Sequence, residues 1–112
     1  MKIAVGRLML CPAFLACALW STAPAAQEVQ PQALASKYAC TACHAADRKL
    51  VGPAWSDIAA KYASGGKTDQ QLAQSIRKGG AGSWGAVPMP PQPSLPEADA
   101  LALARWVLAA KR

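Results

Sequence analysis

The sequence has very few of the side chains that usually build protein metal clusters. Its 112 residues include one histidine, His44, with two of the four cysteines, Cys40 and Cys43, just before it. A structural zinc site takes four N, S or O ligands, and this stretch offers three. A redox-active dithiol would be expected near a βαβ pattern, and no strand-like run accompanies these cysteines. The sequence therefore argues against a zinc site and against a thioredoxin-like dithiol.

Charged residues are also sparse, and acidic ones especially so. The chain has 12 Lys and Arg against six Asp and Glu, for a formal net charge of +6. The basic residues are scattered, without a basic block or an alternation of basic and aromatic residues, so the sequence favours no nucleic-acid partner. A mild positive charge is typical of proteins that dock on acidic protein surfaces.

The first 25 residues have the pattern of a cleaved secretory signal peptide. Lys2 and Arg7 precede an apolar stretch over 8–20, and small residues follow up to Ala25 and Ala26. The apolar stretch is shorter than the roughly 20 residues of a membrane-spanning helix. We expect cleavage after Ala25 or after Ala26, export to the periplasm, and one soluble domain over 26–112 without stable membrane insertion.

The remaining chain alternates helical patterns with loops rich in Gly and Pro. Helical patterns cover 32–40, 54–63, 68–78 and 94–110. The last two begin with capping-box pairs, Thr68 with Gln71 and Ser94 with Glu97. The segment 79–93 has too many Gly and Pro residues for a helix or a central strand, and we expect an ordered loop. The sequence predicts an all-α domain.

Residues 40–44 form a Cys-x-x-Cys-His run, the attachment signature of haem c. Two thiols separated by two residues on a tight turn can reach two vinyl groups along one edge of a porphyrin. His44 then points at the iron, while a backbone carbonyl can hold its other ring nitrogen and fix the tautomer. The motif predicts one covalently attached haem c, with Cys40 and Cys43 bonded to it and His44 as an iron ligand.

Met89 is the candidate for the second iron ligand. It lies between Pro88 and Pro90 in the Gly- and Pro-rich segment, and it is the only methionine after the signal peptide. A methionine more commonly fills gaps in a core. If a haem is present, however, a thioether whose backbone is fixed by a proline on each side is well suited to bind the iron on the face opposite His44.

Together these motifs resemble one known family. Four segments carry the resemblance: CTACH at 40–44, VGPAW at 51–55, GSWGAVPMPP at 82–91 and ARWVL at 104–108. Over 38–109 the chain resembles the small bacterial class I cytochromes c of the cytochrome c-551/c-552 type. The resemblance implies about four helices wrapped around one covalently bound haem.

The resemblance also implies roles for individual residues. His44 and Met89 would bind the iron, and the carbonyl of Pro53 would accept the ring N–H of His44. Trp84 matches the family tryptophan that donates a hydrogen bond to a haem propionate. Gln92 falls where a polar side chain can approach the sulfur of Met89.

One departure from the family pattern concerns the propionates. In the best-known member of the family an Arg of the third helix also binds a propionate, and the matching residue here is Ser75. Arg77 or Lys78 is the expected replacement; otherwise the propionate is more exposed.

The function implied by the resemblance is that of a monohaem periplasmic electron carrier rather than an enzyme. Its partners would be redox proteins: a donor such as a membrane cytochrome complex, and an acceptor such as a periplasmic reductase or terminal oxidase. We expect a monomer that docks through some of four lysines: Lys37, Lys49, Lys61 and Lys78. One alternative is a haem-bearing subunit of a larger periplasmic oxidoreductase. Another is a gas-binding or catalytic haem protein, which would need a free coordination position on the iron; the presence of Met89 argues against it.

Overall fold

A computed structural model describes residues 23–25 and 28–111. The described residues form four α-helices, one short 3₁₀ turn and a two-stranded sheet. In chain order these are α1 (Pro31–Lys37), the 3₁₀ turn (Cys40–Ala42), α2 (Trp55–Tyr62), α3 (Asp69–Lys78), β1 (Gly80–Gly82), β2 (Gly85–Met89) and α4 (Glu97–Leu108). The mainly helical fold is confirmed. The signal-peptide prediction over 1–25 falls almost entirely outside the described residues and stays a prediction.

The first helix is shorter than the sequence predicts. α1 begins at Pro31, where the fixed φ of proline suits a first helical position. It ends at Lys37 because Ala39 adopts a left-handed backbone, with φ of 57°, which cannot continue a right-handed helix. The chain then enters the 3₁₀ turn Cys40–Ala42, so the cysteine motif lies on a separate tight turn and not on the last turn of α1.

The two predicted capping boxes have different outcomes. At α3 the box is confirmed: the Thr68 hydroxyl accepts from the Gln71 N–H at 3.2 Å, and the Gln71 side chain accepts from the Thr68 N–H at 2.9 Å. At α4 the prediction of Ser94 with Glu97 is wrong. Pro96 is the N-cap residue there and makes no side-chain capping bond. Glu97 instead lies in the first turn, where its charge favours the helix dipole.

The hydrophobic core is built around α4. One face of this helix is buried through Ala100, Leu103, Ala104 and Val107. It packs against the other three helices, whose core residues are Leu34, Ala35, Ile58, Leu72 and Ala73. Small alanines let the helices approach closely, and each buried Leu or Val contributes roughly 1.5–3 kcal/mol relative to exposure.

Two side-chain contacts fix the helices further. The Tyr38 hydroxyl donates to the Asp99 carboxylate at 2.9 Å, which ties the end of α1 to the first turn of α4. The rings of Trp55 and Trp106 meet at an angle of 63° with centroids 4.5 Å apart, which joins α2 to α4. Within the described ranges, no helix has the length and apolarity needed to cross a membrane.

The segment predicted as an ordered loop contains a small antiparallel hairpin. β1 and β2 pair with Gly80 opposite Met89 and Gly82 opposite Gly85. Gly82 and Gly85 have φ of 95° and 115°, a backbone conformation that residues other than Gly rarely adopt. These two glycines therefore permit the chain reversal. The strands are almost entirely exposed and lack the alternation of a half-buried strand, so the sequence pattern did not indicate them.

Candidate cofactor site

A cleft of about 360 Å³ separates the cysteine turn from the hairpin. One side is lined by residues between Cys40 and Pro53, and the other by the segment from Gly79 to Pro90. Apolar side chains of the helices complete the lining, including Trp55, Ile58, Leu72, Ile76, Leu103 and Val107. The cleft is therefore a largely apolar site that is partly open to solvent, as a flat apolar cofactor with a polar rim requires.

The 3₁₀ turn brings both thiols to this cleft. The Cys43 N–H and the His44 N–H both donate to the Cys40 carbonyl, at 3.1 and 3.0 Å. This closes the motif into one tight turn, and all three residues line the cleft. Burial raises the pKa of the Cys40 thiol. The two free thiols and the His44 imidazole thus belong to residues of one tight turn, as the motif predicts.

The orientation of His44 follows from a hydrogen bond. Its Nδ1 lies 2.7 Å from the carbonyl oxygen of Pro53. A carbonyl oxygen can only accept, so Nδ1 carries the proton and donates. Nε2 of the neutral imidazole then has an unprotonated lone pair, which is the form that binds a metal ion. The expected contact between His44 and Pro53 is present.

Gly52 is a site residue that the sequence reasoning did not single out. A Cβ atom at this position would lie 2.6 Å from Cε1 of His44 and 3.0 Å from both ring nitrogens. Its N–H donates to the Cys43 carbonyl at 2.8 Å, which folds the loop back onto the motif. The signal in the sequence was the Gly-Pro pair, in which Gly52 makes room for the ring and Pro53 supplies the acceptor.

Met89 reaches the same cleft from the other side. It is the last residue of β2, is partly buried, and lines the cleft with His44. The backbone of Gly79 packs closely against this end of β2. Only Gly permits this approach, because a Cβ on Gly79 would collide with the Met89 carbonyl oxygen. The hairpin therefore supports Met89 through backbone packing as well as through the flanking prolines.

Trp84 lies in the turn of the hairpin and also lines the cleft. Its ring meets the ring of Tyr62 at 90°, with centroids 6.3 Å apart. The Lys61 ammonium lies 4.3 Å from the Trp84 ring centroid and donates to the Ser83 carbonyl at 2.6 Å. Trp84 is 38% exposed, so these contacts hold an indole that is only partly covered by the protein.

Gln92 differs from the other predicted site residues. Cys40, Cys43, His44, Pro53, Trp84 and Met89 line the cleft, whereas Gln92 is not among the described lining residues. Its backbone N–H donates to the Arg77 carbonyl at 2.9 Å, just beyond the hairpin. The approach of its side chain to the Met89 sulfur stays a prediction.

The residues of the cleft fit a covalently attached haem. Two thiols can form thioether bonds, and the Nε2 lone pair of His44 and the Met89 thioether are ligands that iron porphyrins take in proteins. The absence of a side chain at Gly52 is needed for the imidazole to keep its position. The apolar lining suits a macrocycle with few polar atoms.

Known cytochromes c are similar to this chain over most of its length. The family model for cytochrome c matches residues 30–111. Cytochrome c-551 of Pseudomonas aeruginosa is 46% identical over 81 residues, covering 72% of this chain and 77% of that protein. Cytochrome c-552 of Nitrosomonas europaea is 50% identical over 78 residues, covering 70% of this chain and 76% of that protein.

A solved structure extends the comparison to three dimensions. The crystal structure of wild-type Nitrosomonas europaea cytochrome c552 is 49% identical and superposes with a TM-score of 0.69. The match covers 71% of this chain and 99% of that one. The chain therefore belongs to the cytochrome c family, as a small monohaem electron carrier of the cytochrome c-551/c-552 type that carries one covalently attached haem c.

Proposed function

We propose that this protein is a periplasmic carrier that passes single electrons between respiratory redox proteins through a haem c whose iron His44 and Met89 would bind. The observation that carries the proposal is the position of these two side chains on one cleft, with the Nδ1 of His44 bound to the Pro53 carbonyl. That hydrogen bond reserves Nε2 for the iron.

Cys40 and Cys43 would attach the cofactor through thioether bonds. The tight turn that both residues share keeps their side chains on the cleft and brings His44 directly after them. Attachment at two points would hold the macrocycle in one orientation. The imidazole would then meet the iron without a change in the backbone.

The residues that would hold the haem, together with the cleft lining, would set its chemistry. When bound, haem c supplies the one-electron chemistry, because its iron is stable in two oxidation states. As an iron ligand, the Met89 thioether would favour the ferrous state relative to a second nitrogen ligand and so raise the reduction potential. The Pro53 carbonyl keeps the His44 ring in one orientation, and the apolar lining excludes water. A carrier needs such a rigid site because its ligands must stay bound in both oxidation states.

The part of the cleft that is open to solvent is the proposed contact with redox partners. Val51 and Val87 are 57% and 65% exposed, and both line the cleft. Lys49 also lines it and is exposed. An apolar rim with a nearby cation suits brief docking on an acidic partner. Of the four candidate lysines, Lys49 is therefore the one we assign to the docking surface.

The signal-peptide pattern supports the proposed location, and the family resemblance supports the proposed class of partners. The signal-peptide pattern over 1–25 supports export and cleavage after Ala25 or Ala26. We propose a soluble monomer of 26–112 in the periplasm, with a membrane cytochrome complex as donor and a periplasmic reductase or terminal oxidase as acceptor. It would act as a carrier and not as an enzyme.

An optical spectrum of the exported holoprotein tests the ligand pair. A weak band on the red side of the oxidised spectrum, from charge transfer between sulfur and iron, is expected and should vanish in Met89→Ala. The matched control is Val87→Ala, two residues earlier on the same strand, which should keep the band.

Gas binding provides the second measurement. The reduced wild-type protein should not bind carbon monoxide, and Met89→Ala should bind it. A band that persists in Met89→Ala, or carbon monoxide binding by the wild type, would contradict His44 and Met89 ligation.

A further inference from the structure

The charged side chains that line the cleft are few, and they matter because a haem would bring anionic groups into it. Among the described residues that line it, Lys49 and Lys67 are the only lysines, and none is Asp, Glu or Arg. Haem c brings two propionate carboxylates, and a carboxylate that is partly withdrawn from water needs a cation or hydrogen-bond donors. The cleft therefore offers two candidate cations.

Lys67 differs from the other lysines in its burial. Of the lysines in the described ranges, it is the one whose side chain is partly buried, whereas the others are exposed. A partly buried ammonium without a counter-charge is costly, and such groups are usually paired. Its position on the cleft indicates an anionic partner that enters the cleft.

Contacts to α3 and α2 fix the Lys67 ammonium. Its Nζ donates to the Ser75 hydroxyl at 2.7 Å and lies 5.5 Å from the centroid of the Tyr62 ring. The Ser75 hydroxyl in turn donates to the Gln71 carbonyl at 3.0 Å, so its lone pairs face Lys67. An ammonium has three N–H donors and Ser75 takes one, which leaves donors for a carboxylate.

Lys67 lies on the same side of the cleft as Trp84. Tyr62 contacts both residues, with its ring edge-to-face to Trp84 and near the Lys67 ammonium. The family resemblance implies that the Trp84 indole donates a hydrogen bond to a propionate. Lys49 instead lies beside the His44 loop, where it forms an isolated backbone bridge with His44. This separates the two candidate cations and favours Lys67 for the carboxylate that Trp84 also approaches.

The structure revises the expected replacement for the propionate-binding Arg. Arg77 and Lys78 were the expected substitutes for the cation missing at Ser75. Both line a separate groove with Glu97 and Leu101, and neither is among the described residues that line the cleft. The small Ser75 side chain instead leaves space that Lys67, from the loop before α3, reaches with its long stem.

We propose that Lys67, held in place by Ser75, is the cationic partner of one haem propionate. The inference rests on the proposed function, because it takes a haem to occupy the cleft, with one propionate beside Trp84 as the family resemblance implies. Lys67 binds the carboxylate, and Ser75 is a positioning residue that acts through Lys67. The charge that a helix supplies in the best-known member of the family is here supplied by a loop.

The test follows the reduction potential of the purified holoprotein against pH. Ionisation of a propionate favours the ferric state, so the potential falls as pH rises through the propionate pKa. A neighbouring cation lowers that pKa. Lys67→Gln should therefore move the pH-dependent step upward by about one pH unit and lower the potential at neutral pH. Lys67→Arg should keep the step near its wild-type position, and Ser75→Ala should move it upward by less than Lys67→Gln.

Two control variants show whether the effect belongs to Lys67. Arg77→Gln removes an equal charge outside the cleft, and Lys49→Gln removes the other cation within it; Lys61, which lies over Trp84, stays unchanged in all variants. Both controls should leave the step in place. An unchanged step in Lys67→Gln, or an equal shift in either control, would overturn the proposal. The sharp reduced α-band of each variant checks that the haem site has formed.

Two further measurements separate this proposal from the proposed function. Trp84→Phe should also move the step upward, because it removes the indole donor. A shift in Trp84→Phe with none in Lys67→Gln would refute the role of Lys67 and keep that of Trp84. The sulfur-to-iron band of the wild type reports on Met89 independently of either propionate partner. Absence of this band from the wild-type spectrum would therefore refute the ligand pair and not the role of Lys67.

Discussion

Gly52 packs directly against the imidazole of His44, with no room for a methyl group between them. A Cβ on Gly52 would lie 2.6 Å from Cε1 of the ring. The next residue, Pro53, supplies the carbonyl that accepts a hydrogen bond from the His44 Nδ1–H at 2.7 Å. Two consecutive residues therefore determine where the proposed iron ligand lies and which nitrogen it presents.

We expect Gly52→Ala to displace the His44 ring and weaken its hydrogen bond to Pro53. Overpacking of this kind costs about 1–3 kcal/mol, so the free energy of unfolding of the holoprotein should fall by that amount. Denaturant unfolding measures it. The Nδ1–H proton of His44, followed by NMR, should also exchange with solvent faster than in the wild type.

Val51→Ala is the matched control for this prediction. Val51 precedes Gly52 in the same loop and is 57% exposed, so its truncation should change the free energy of unfolding by less than about 0.5 kcal/mol. A Gly52→Ala protein with wild-type stability and wild-type exchange would mean that the loop can move away from the ring without cost.

The second prediction concerns Gly79 and the strand that carries Met89. Gly79 has φ of 64° and ψ of −163°, a region essentially restricted to Gly, and a Cβ there would collide with the Met89 carbonyl. Gly79→Ala should cost about 1–3 kcal/mol in backbone strain. It should also displace Met89, which an altered or weakened sulfur-to-iron band in the oxidised spectrum would report.

Gly82→Ala separates backbone strain from displacement of Met89. Gly82 also has a positive φ, of 95°, but a Cβ there would meet nothing within 4 Å. This variant should lose stability through strain and keep the band unchanged. If both variants altered the band equally, the effect would come from the hairpin as a whole and not from the contact between Gly79 and Met89.

The features that could be predicted from the sequence are those that depend on neighbours in the chain. The Cys-x-x-Cys-His turn and the capping box of Thr68 and Gln71 both act over a few residues. Short-range hydrogen bonds and backbone preferences are sufficient to specify them. The mainly helical fold followed from the same kind of local periodicity.

The features that were missed depend on residues far apart in the sequence, or on backbone states that composition does not reveal. The hairpin pairs Gly80 with Met89 without an alternating apolar face to indicate a strand. The left-handed Ala39, which ends α1 early, has no sequence signal because alanine favours a helix. Lys67 reaches Ser75 from a preceding loop, and no motif spacing connects the two.

The last prediction concerns the ion pair between α3 and α4. The Nε of Arg105 lies 2.7 Å from the Asp69 carboxylate. The hydrogen bond from Arg105 is the main reason why the pKa of the Asp69 carboxyl is below its ordinary value, and the Gln70 N–H, at 2.9 Å, adds to the effect. Because the pKa is lowered in the folded state, the pair stabilises the protein above the ordinary Asp pKa. That contribution is lost as pH falls through the lowered pKa.

Arg105→Gln should therefore raise the pKa of Asp69 and lower the thermal midpoint at neutral pH. The difference in midpoint from the wild type should shrink as the pH is lowered toward about 2, because Asp69 is then protonated in both proteins. Arg48→Gln is the control: its partner Asp47 lies 3.9 Å away, with both side chains 73% exposed, and such a pair contributes little. A midpoint difference for Arg105→Gln that stays constant with pH would show that Arg105 stabilises the helix pair by packing of its stem and not by its charge.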